Sequence, residues 1–457
     1  MFIGREKELA ELKEHLAIDK KVAVLIYGKR RVGKSALIEE AVKNFDGTVI
    51  NHLFAKTSYE GNLALLCRST ALALGLPSST TFATIFDLFD FLKTQSQNIL
   101  VVLDEYQYFK ESLKQGEIDS YMQAVVDSLP KNIKIIFCGS YIAIMKELLQ
   151  ETNPLFGRLT KVMHIEEFDY LDASRFCPDL PEHEKIRFYA VFGGSPYVLT
   201  NLDYTKSVEE NIITLLINQN SLLRTYIENI MLREIQKAYD VRILEALGNG
   251  KKRYREIQGL LGMPDSGLLD KQLKNLIAME TVIKTEPINK TGDKKKQFYE
   301  IKDNLMRFYF AYIFANDSII IKFGETEFFN LFVATSLRTF ISLRFEGMVI
   351  QYFMRQARSG KLKGILDFGS FWYDDAASGT NMQFDCVLKE SDGYDFFEVK
   401  FYDNPMKKAE CISEEKQVRQ QIALPCKKIG FVCSAGFTFK SDTYELISAK
   451  KMYSLSY

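Results

Sequence analysis

An apolar run followed by a glycine-framed basic loop is the feature that most constrains how this chain of 457 residues folds. Val22 to Ile26 indicate a buried strand, Gly28 to Lys34 a loop, and Ser35 to Asn44 a helix. Strand, loop and helix in this order are the setting in which the pattern GxxxxGK[ST], here GKRRVGKS, binds phosphate. We therefore predict an α/β domain with a parallel sheet at the start of the chain.

The loop offers the groups that a nucleoside triphosphate needs. Backbone N–H groups curl around the β-phosphate at a helix N-terminus, Lys34 reaches the β- and γ-phosphates, and the Ser35 hydroxyl ligates magnesium. We predict ATP and Mg²⁺ as cofactors. The expected nucleotide contacts are Gly28, Lys29, Arg30, Arg31, Val32, Gly33, Lys34, Ser35 and Ala36.

Two further strands complete the predicted nucleotide site. Ile99 to Leu103 run into Asp104 and Glu105, and carboxylates at the end of a buried parallel strand lie where α/β sheets bind ligands. Asp104 would hold magnesium and Glu105 would orient or deprotonate the attacking water. Ile133 to Cys138 lead to Ser140, which would sense the γ-phosphate or would belong only to a strand-ending turn.

Arg158, in the stretch NPLFGRLT, is the candidate for stabilising transition-state charge. It would act in its own subunit or from a neighbouring subunit of a homo-oligomer. A surface ion pair is the other interpretation.

Six short sequence motifs follow one another along the first half of the chain. They are FIGREKEL (Phe2 to Leu9), the phosphate loop, VVLDEY, FCGS, PLFGR and FGGSPYVL (Phe192 to Leu199). In this order they resemble the archaeal and bacterial ATPase family related to AAA+, origin-recognition and STAND ATPases, over about the first half of the chain. The resemblance implies that the GRE box and the GxP turn flank the nucleotide base. The residues carried over are Gly4, Arg5, Gly194 and Pro196.

The middle of the chain predicts helices and then a hairpin. Residues 167–232 are helix-rich and would form a lid over the nucleotide. From Asp240 onward, three short helices precede the strand Thr281 to Lys284, a basic tip at Pro287 to Gln297, and a return strand, which together predict a winged helix. The third helix, opened by a Ser266 cap, carries the possible base-reading side chains, and the tip carries the possible phosphate contacts: Lys271, Gln272, Lys274 and Asn275, and Lys290, Lys294, Lys295 and Lys296. Contact with double-stranded DNA and a role in protein interaction both remain open.

Acidic residues recur near the end of the chain. A helix from Phe340 to Phe353 carries Glu346, and the strand Met382 to Leu388 carries Asp385. The strand Tyr394 to Val399 carries Glu398, and Lys400, which follows this strand, lies on the same face as Glu398. Converging carboxylates can hold magnesium, and a lysine can stabilise attack on a phosphodiester. We predict Glu346, Asp385 and Glu398 as metal ligands and Asp385, Glu398 and Lys400 as catalytic, with Asp374 and Asp375 as competing ligands.

This spacing resembles the PD-(D/E)XK nuclease fold. The same region also resembles the module, long catalogued as of unknown function, that follows this type of ATPase. The resemblance implies a restriction-endonuclease-like α/β domain.

Composition restricts the function classes. The 59 basic and 59 acidic residues cancel, so any contact with a polyanion must come from a local patch. Seven scattered cysteines without a CxxC pair fit a reducing compartment, and no stretch approaches 18 uninterrupted apolar residues. We expect a cytoplasmic protein without a membrane partner.

The sequence thus predicts four parts: an ATPase core (1–166), a helical lid (167–235), a winged helix (236–304) and a nuclease-like domain (305–457). The expected function is an ATP-hydrolysing switch coupled to a DNA-associated C-terminal domain that cleaves with a metal. The alternative is a signalling or scaffold ATPase whose C-terminal domain binds DNA or protein without cleavage.

Overall fold

The computed structural model describes residues 2–232, 240–264, 266–375, 380–421 and 426–455. The chain divides into two compact units, Met1–Glu167 and Phe168–Tyr457. The smaller divisions predicted within residues 167–457 stay predictions. Among the helices of the described ranges, none has the length and apolar character needed to cross a lipid bilayer.

A five-stranded parallel sheet forms the centre of the first unit. Its strands are β1 (Val22–Tyr27), β2 (Thr48–Leu53), β3 (Ile99–Asp104), β4 (Ile133–Gly139) and β5 (Lys161–His164), in the order β2-β3-β4-β1-β5. Alternate residues of β1 enter two hydrophobic cores on opposite faces of the sheet. A parallel sheet buried on both faces is the α/β architecture that the sequence predicts for this unit.

Helices connect these strands and leave one edge of the sheet for the site. They span Glu6–Ala17, Lys34–Val42, Tyr59–Leu74, Ile85–Lys93, Tyr106–Lys110, Glu117–Asp127 and Ile142–Glu147. Because the strands are parallel, their C-terminal ends lie at the same edge. The phosphate loop after β1, Asp104 at the end of β3 and Ser140 after β4 therefore share that edge, with β4 between β1 and β3.

The second unit begins with helices. One large hydrophobic core joins these helices to the C-terminal part of the same unit. Its α-helices are Tyr170–Ala173, Glu182–Phe192, Pro196–Thr200, Val208–Ile212, Leu222–Tyr226, Arg242–Gly248, Tyr254–Leu261, Leu268–Ala278, Asn304–Phe308, Asp317–Phe323, Glu325–Phe328, Ala334–Arg358, Lys408–Gln421 and Ala449–Tyr453. Short 3₁₀ turns occur at Ser174–Phe176 and Lys294–Lys296, and π-helical turns at Ile213–Ile217, Ile227–Leu232, Tyr309–Ile313 and Phe329–Val333.

A small antiparallel sheet lies in the middle of this unit. It contains β6 (Lys252–Arg253), β7 (Val282–Thr285) and β8 (Phe298–Ile301) in the order β6-β8-β7. The third of the preceding helices begins at Leu268 after Gly267, whose φ of 73° is left-handed. The predicted Ser266 cap is therefore wrong, because a glycine occupies the N-cap and no side chain caps the helix.

The C-terminal sheet is mixed. Its strands are β9 (Asp367–Asp375), β10 (Thr380–Lys389), β11 (Tyr394–Lys400), β12 (Cys426–Cys433) and β13 (Glu445–Ser448), in the order β13-β12-β11-β10-β9. The first three strands form an antiparallel meander, and β11, β12 and β13 are parallel. The helix Lys408–Gln421 supplies the crossover that a parallel pair requires. Both predicted strands, Met382 to Leu388 and Tyr394 to Val399, are present within β10 and β11, which are longer than predicted by at least one residue.

Candidate functional site

The phosphate loop is shaped by two glycines. A side chain at Gly28 would place its Cβ 2.0 Å from the carbonyl oxygen of Ile165, so only glycine fits there. Gly33 has a left-handed φ of 91° at the N-cap of the helix Lys34–Val42. The loop therefore turns tightly around the start of the helix, as a phosphate-binding loop must.

Lys34 spans this loop. Its Nζ donates hydrogen bonds to the carbonyl oxygens of Gly28 (2.9 Å) and Lys29 (2.8 Å). The side chain is buried, and burial lowers the pKa of Lys34, while the nearby carboxylates of Glu105 and Asp104 act in the opposite direction. An ammonium held at the mouth of the loop is placed to meet the phosphates of a nucleotide.

Two oxygen ligands meet beside the loop. The Ser35 Oγ donates a hydrogen bond of 2.9 Å to Asp104 Oδ2 at the end of β3. The backbone N–H of Glu105 donates to the other carboxylate oxygen of Asp104 at 2.9 Å, which fixes its orientation. A hydroxyl and a carboxylate are hard oxygen donors of the kind that magnesium prefers, so these residues fit the ion.

The side chain of Glu105 is held by two neighbours. Ser140 Oγ donates to Glu105 Oε2 at 2.7 Å, and the Nε2 of Gln107 donates to the same oxygen. Gln107 also donates to Ser140 Oγ at 3.3 Å, so the three side chains form one network. Glu105 itself has a left-handed φ of 52°, an uncommon conformation for a residue with a side chain. Gln107 was missed by the sequence reasoning, because nothing local distinguishes a glutamine two positions after the acidic pair.

The other predicted loop residues have different environments. Val32 is part of the hydrophobic core, whereas the side chains of Arg31 and Ala36 are exposed. Arg30 donates to the Tyr108 hydroxyl at 2.6 Å and lies 5.5 Å from the centre of the Tyr141 ring. These side chains surround the loop, whereas the expected phosphate contacts come from backbone N–H groups.

Arg5 is buried and supports the loop from behind. Its guanidinium donates to the carbonyl oxygens of Val32, at 3.1 Å, and of Glu166. Gly4 and Arg5 both have left-handed φ values, 71° and 66°, which turn the chain into the first helix. The expected place of Gly4 and Arg5 beside the base remains a prediction. The loop-supporting role of Arg5 was missed, because it depends on a contact 27 residues away.

The GxP turn lies in the second unit. A Cβ on Gly194 would be 1.8 Å from the carbonyl oxygen of Phe168, which explains the glycine. Pro196 is the first residue of the helix Pro196–Thr200, as its fixed φ allows.

Arg158 lies at the other edge of the sheet. Its Nε donates to both carboxylate oxygens of Asp127, at 2.9 and 3.0 Å, and its Nη1 donates to the Pro154 carbonyl. Two residues after Arg158, the backbone N–H of Thr160 donates to the carbonyl oxygen of Ala23, near the start of β1. The phosphate loop follows the other end of β1, roughly 15 Å away along the strand. In this structure Arg158 forms the ion pair that was its other interpretation, and its action in its own nucleotide site stays a prediction. Action from a neighbouring subunit stays a prediction.

The predicted C-terminal carboxylates interact electrostatically in the second unit. Burial, followed by the negative charges of Asp385 and then Glu398, raises the pKa of Glu346 to about 8. Burial also raises the pKa values of Asp385 and Glu398. Carboxylates are oxygen donors of the kind that Mg²⁺ prefers, and a divalent cation would stabilise their charged forms. A metal held by Glu346, Asp385 and Glu398 stays a prediction.

Two features of the strands place these groups. Asp385 lies where the pairing of β10 with β9 shifts register between Phe384 and Val387, a bulge that redirects a side chain. On β11, Lys400 Nζ donates to Glu398 Oε1 at 2.7 Å and lies 3.4 Å from Glu414 Oε1 on the helix Lys408–Gln421. Acid and lysine therefore share one face, as the alternation of strand side chains predicts.

Sequence reasoning missed two members of this cluster. The positive charge of Lys251, which precedes β6, opposes the rise in the pKa values of both Glu346 and Asp385. Glu414 pairs with Lys400 from the helix that follows. Neither has a local signal, because each is brought in from a segment distant in the sequence. The side chains of Asp374 and Asp375, the predicted competing ligands, lie outside the described residues.

Two of the predicted base-reading side chains on the third helix already bond to other groups of the protein. Lys274 forms an ion pair of 2.7 Å with Asp270, and Gln272 Oε1 accepts the backbone N–H of Asp240 at 3.2 Å. Lys271 is exposed and Asn275 is half-buried. In the tip, Lys294 and Lys295 are exposed, and Lys290 and Lys296 are half-buried. Contact of these residues with DNA stays a prediction.

Comparison with known proteins places the first site in a class. Residues 2–202 match the family described as an ATPase domain predominantly from Archaea. The N-terminal region is therefore an ATPase domain, with a parallel α/β sheet and ATP as its nucleotide. Residues 309–413 match a family of archaeal and bacterial proteins of unknown function, in agreement with the second resemblance found in the sequence.

Relatives over longer spans are also known. An uncharacterized protein of Methanocaldococcus jannaschii is 29% identical over 383 residues, which cover 82% of each protein. A Walker-type ATPase of Pyrococcus abyssi is 21% identical, with a TM-score of 0.49, over 68% of this chain and 96% of its own. The Aeropyrum pernix ORC2 protein, solved in ADPNP and ADP complexes, is 15% identical with a TM-score of 0.47, over 70% of this chain and 94% of its own.

Proposed function

We propose that this chain is an ATP-hydrolysing switch whose nucleotide state controls a DNA-associated C-terminal domain. The observation that carries the ATPase half is the meeting of Lys34, the pair Ser35 and Asp104, and Glu105 at one edge of a parallel sheet. In this proposal Lys34 binds the β- and γ-phosphates, and Ser35 and Asp104 hold magnesium, which neutralises the charge that develops on the phosphates.

Glu105 would act on the attacking water. The water transfers a proton to the Glu105 carboxylate as its oxygen bonds to the γ-phosphorus, and the bond to the bridging oxygen of ADP breaks. Ser140 and Gln107 orient that carboxylate through the network described above. A γ-phosphate in hydrogen-bond reach of Ser140 would compete for its hydroxyl, which gives the site a means of sensing ATP.

The C-terminal half of the proposal is a winged helix followed by a nuclease-like domain of the PD-(D/E)XK type. It is supported by the mixed sheet with its crossover helix and by Glu346, Asp385, Glu398 and Lys400. A metal held there would lower the pKa of a bound water. Asp385, Glu398 and Glu346 would hold that metal, while Lys400 would offer its ammonium to the phosphodiester.

Coupling between the two halves is supported by the packing of the second unit. Arg355, on the long helix that also carries Glu346, forms ion pairs with Asp169 and Asp172 at the start of the predicted lid. The Tyr170 hydroxyl donates to the carbonyl oxygen of Met452 at 3.0 Å. Because the predicted lid shares a core with the C-terminal domain, a movement of the lid on ATP binding would carry that domain with it.

Replacement of Lys34 by alanine tests the nucleotide site. The variant loses a charge-assisted interaction with phosphate worth about 1.5 to 3 kcal/mol in total, so ATP affinity should fall roughly ten- to one-hundred-fold. Isothermal titration with ATP and Mg²⁺ measures the change. The control is Lys43→Ala, which removes an exposed lysine paired with Glu40 near the end of the same helix. An unchanged affinity for Lys34→Ala would refute the site.

A further inference from the structure

The tip between β7 and β8 is bound to the edge of the C-terminal sheet. The backbone N–H of Ile288 donates to the Ser370 carbonyl oxygen at 2.8 Å. Asn289 Nδ2 donates to the Trp372 carbonyl oxygen at 2.7 Å, and the Trp372 N–H donates back to Asn289 Oδ1 at 2.9 Å. Since β9 is the edge strand of its sheet, the backbone groups on its outer side have no neighbouring strand. The tip supplies hydrogen-bond partners to backbone groups on that side. The tip is therefore fixed against the sheet at Ile288 and Asn289.

The docking point lies next to the carboxylate cluster. Ser370 is the β9 residue between Gly369 and Phe371, which pair with Val387 and Phe384 on either side of the Asp385 bulge. Neighbouring strands are about 4.8 Å apart, so the backbone of the tip lies roughly 10 Å from the strand that carries Asp385.

Three cations gather around two aromatic rings at this junction. Lys251 Nζ lies 5.5 Å from the centre of the Phe298 ring, and the Arg253 guanidinium lies 5.3 Å from Phe298 and 5.2 Å from Trp372. Lys296 Nζ lies 3.9 Å from the Trp372 ring. We call Lys251, Arg253 and Lys296 the cation strip. The rings hold the cations in place through cation–π attraction, although like charges repel one another.

The cation strip lies close to one of the carboxylates. Trp372, which Arg253 and Lys296 contact, pairs with Gln383 on β10, two residues before Asp385. The strip therefore lies beside the strand segment that carries a candidate metal ligand.

We propose that the cation strip binds the sugar-phosphate backbone of nucleic acid and leads it to the carboxylate cluster. This inference rests on the proposed nuclease-like function. The relative exposures of Phe298 and Trp372 are 9% and 8%, so their faces are covered and do not stack on bases. Recognition by this strip is therefore of phosphates alone, independent of base sequence and strongly dependent on salt.

The position of the strip favours nucleic acid over an acidic protein segment. The whole chain has no net charge, so a local group of three cations is the kind of patch that a polyanion requires. The strip also lies beside acids suited to a divalent metal, and such a metal would act on a phosphodiester. An acidic peptide offers no group on which this metal site would act.

The test is the affinity of the full chain for a labelled 30-base-pair duplex of random sequence, measured by fluorescence anisotropy in EDTA over a series of salt concentrations. The variant Lys251→Gln, Arg253→Gln, Lys296→Gln should bind at least about tenfold more weakly. The slope of log affinity against log salt should fall by about 2 to 3, since each lost phosphate contact removes about 0.9. The single variants Lys251→Gln and Arg253→Gln carry the same test if the triple variant does not fold.

The matched control is Lys322→Gln, which removes a lysine 5.6 Å from the Phe323 ring on the helix Asp317–Phe323. It should bind as the wild type does. Unchanged duplex affinity and slope in the triple variant would overturn the proposal, as would absence of binding by the wild type at low salt. Loss of polyglutamate binding with duplex binding unchanged would assign the strip to an acidic protein instead.

A second variant separates this inference from the proposed cleavage. Asp385→Asn removes a negative charge, so it should bind the duplex at least as well as the wild type while losing cleavage. If Asp385→Asn loses cleavage and the triple variant keeps the wild-type affinity, the proposal that the cation strip binds nucleic acid is wrong, whereas the proposed nuclease-like function is supported.

Discussion

Glu105→Gln is expected to lower the rate of ATP hydrolysis about 100- to 10,000-fold while ATP affinity stays within about threefold of the wild type. A positioned general base contributes a factor of this size, and glutamine keeps the shape of the side chain but cannot accept the proton. Phosphate release under saturating ATP and Mg²⁺ measures the rate. Isothermal titration on the same preparation measures affinity.

The network around Glu105 provides the controls. Ser140→Ala removes a donor to Glu105 Oε2 without removing the carboxylate, so it should cause a smaller loss of rate than Glu105→Gln. Glu111→Gln changes an exposed acid just after the helix Tyr106–Lys110 and should leave the rate unchanged. A Glu105→Gln variant that hydrolyses ATP as fast as the wild type would end the proposal that Glu105 is the base.

The second large effect is expected at the C-terminal site. With Mg²⁺ or Mn²⁺ present, the wild type should nick supercoiled plasmid, and Asp385→Asn should lower the nicking rate at least about 100-fold. Loss of an outer partner of a metal ligand already costs 10- to 100-fold, and Asp385 is proposed to bind the metal itself. Lys400→Ala should also lose nicking, because it removes the ammonium next to Glu398.

Asp392→Asn is the matched control for this experiment. Asp392 is an exposed acid between β10 and β11 that pairs with Lys427 at 2.8 Å. Its replacement should not alter nicking. If the wild type does not nick DNA with either metal, cleavage is refuted and the C-terminal domain is instead a binding module, which is the alternative that the sequence left open.

Much of the nucleotide site could be predicted because its residues are close in sequence. The spacing of Gly28, Gly33, Lys34 and Ser35 determines which backbone groups surround the phosphate, and an apolar strand ending in Asp104 determines the opposite wall. The helix at Lys34–Val42 and the strands β1, β3 and β4 follow from runs of apolar residues, which have to be buried whatever the rest of the chain does.

Arg5 and Arg158 show where local reasoning stops. Both are arginines in short boxes, yet Arg5 is buried against the Val32 carbonyl behind the loop, whereas Arg158 pairs with Asp127 at the opposite edge of the sheet. The side on which each lies depends on the order and direction of the strands. A pattern of a few residues does not contain that information.

The C-terminal site divides in the same way. The sequence by itself determined that Glu398 and Lys400 lie on one face of a strand, because strand side chains alternate, and that Glu346 lies beside the apolar residues of a helix. Only the tertiary structure decided that Asp385 lies in a bulge, that Lys251 and Glu414 join the carboxylates, and that the basic tip is docked on β9. Local sequence fixes periodicity and turn geometry, whereas these contacts join segments tens of residues apart and depend on which strands become neighbours when the apolar surfaces pack together.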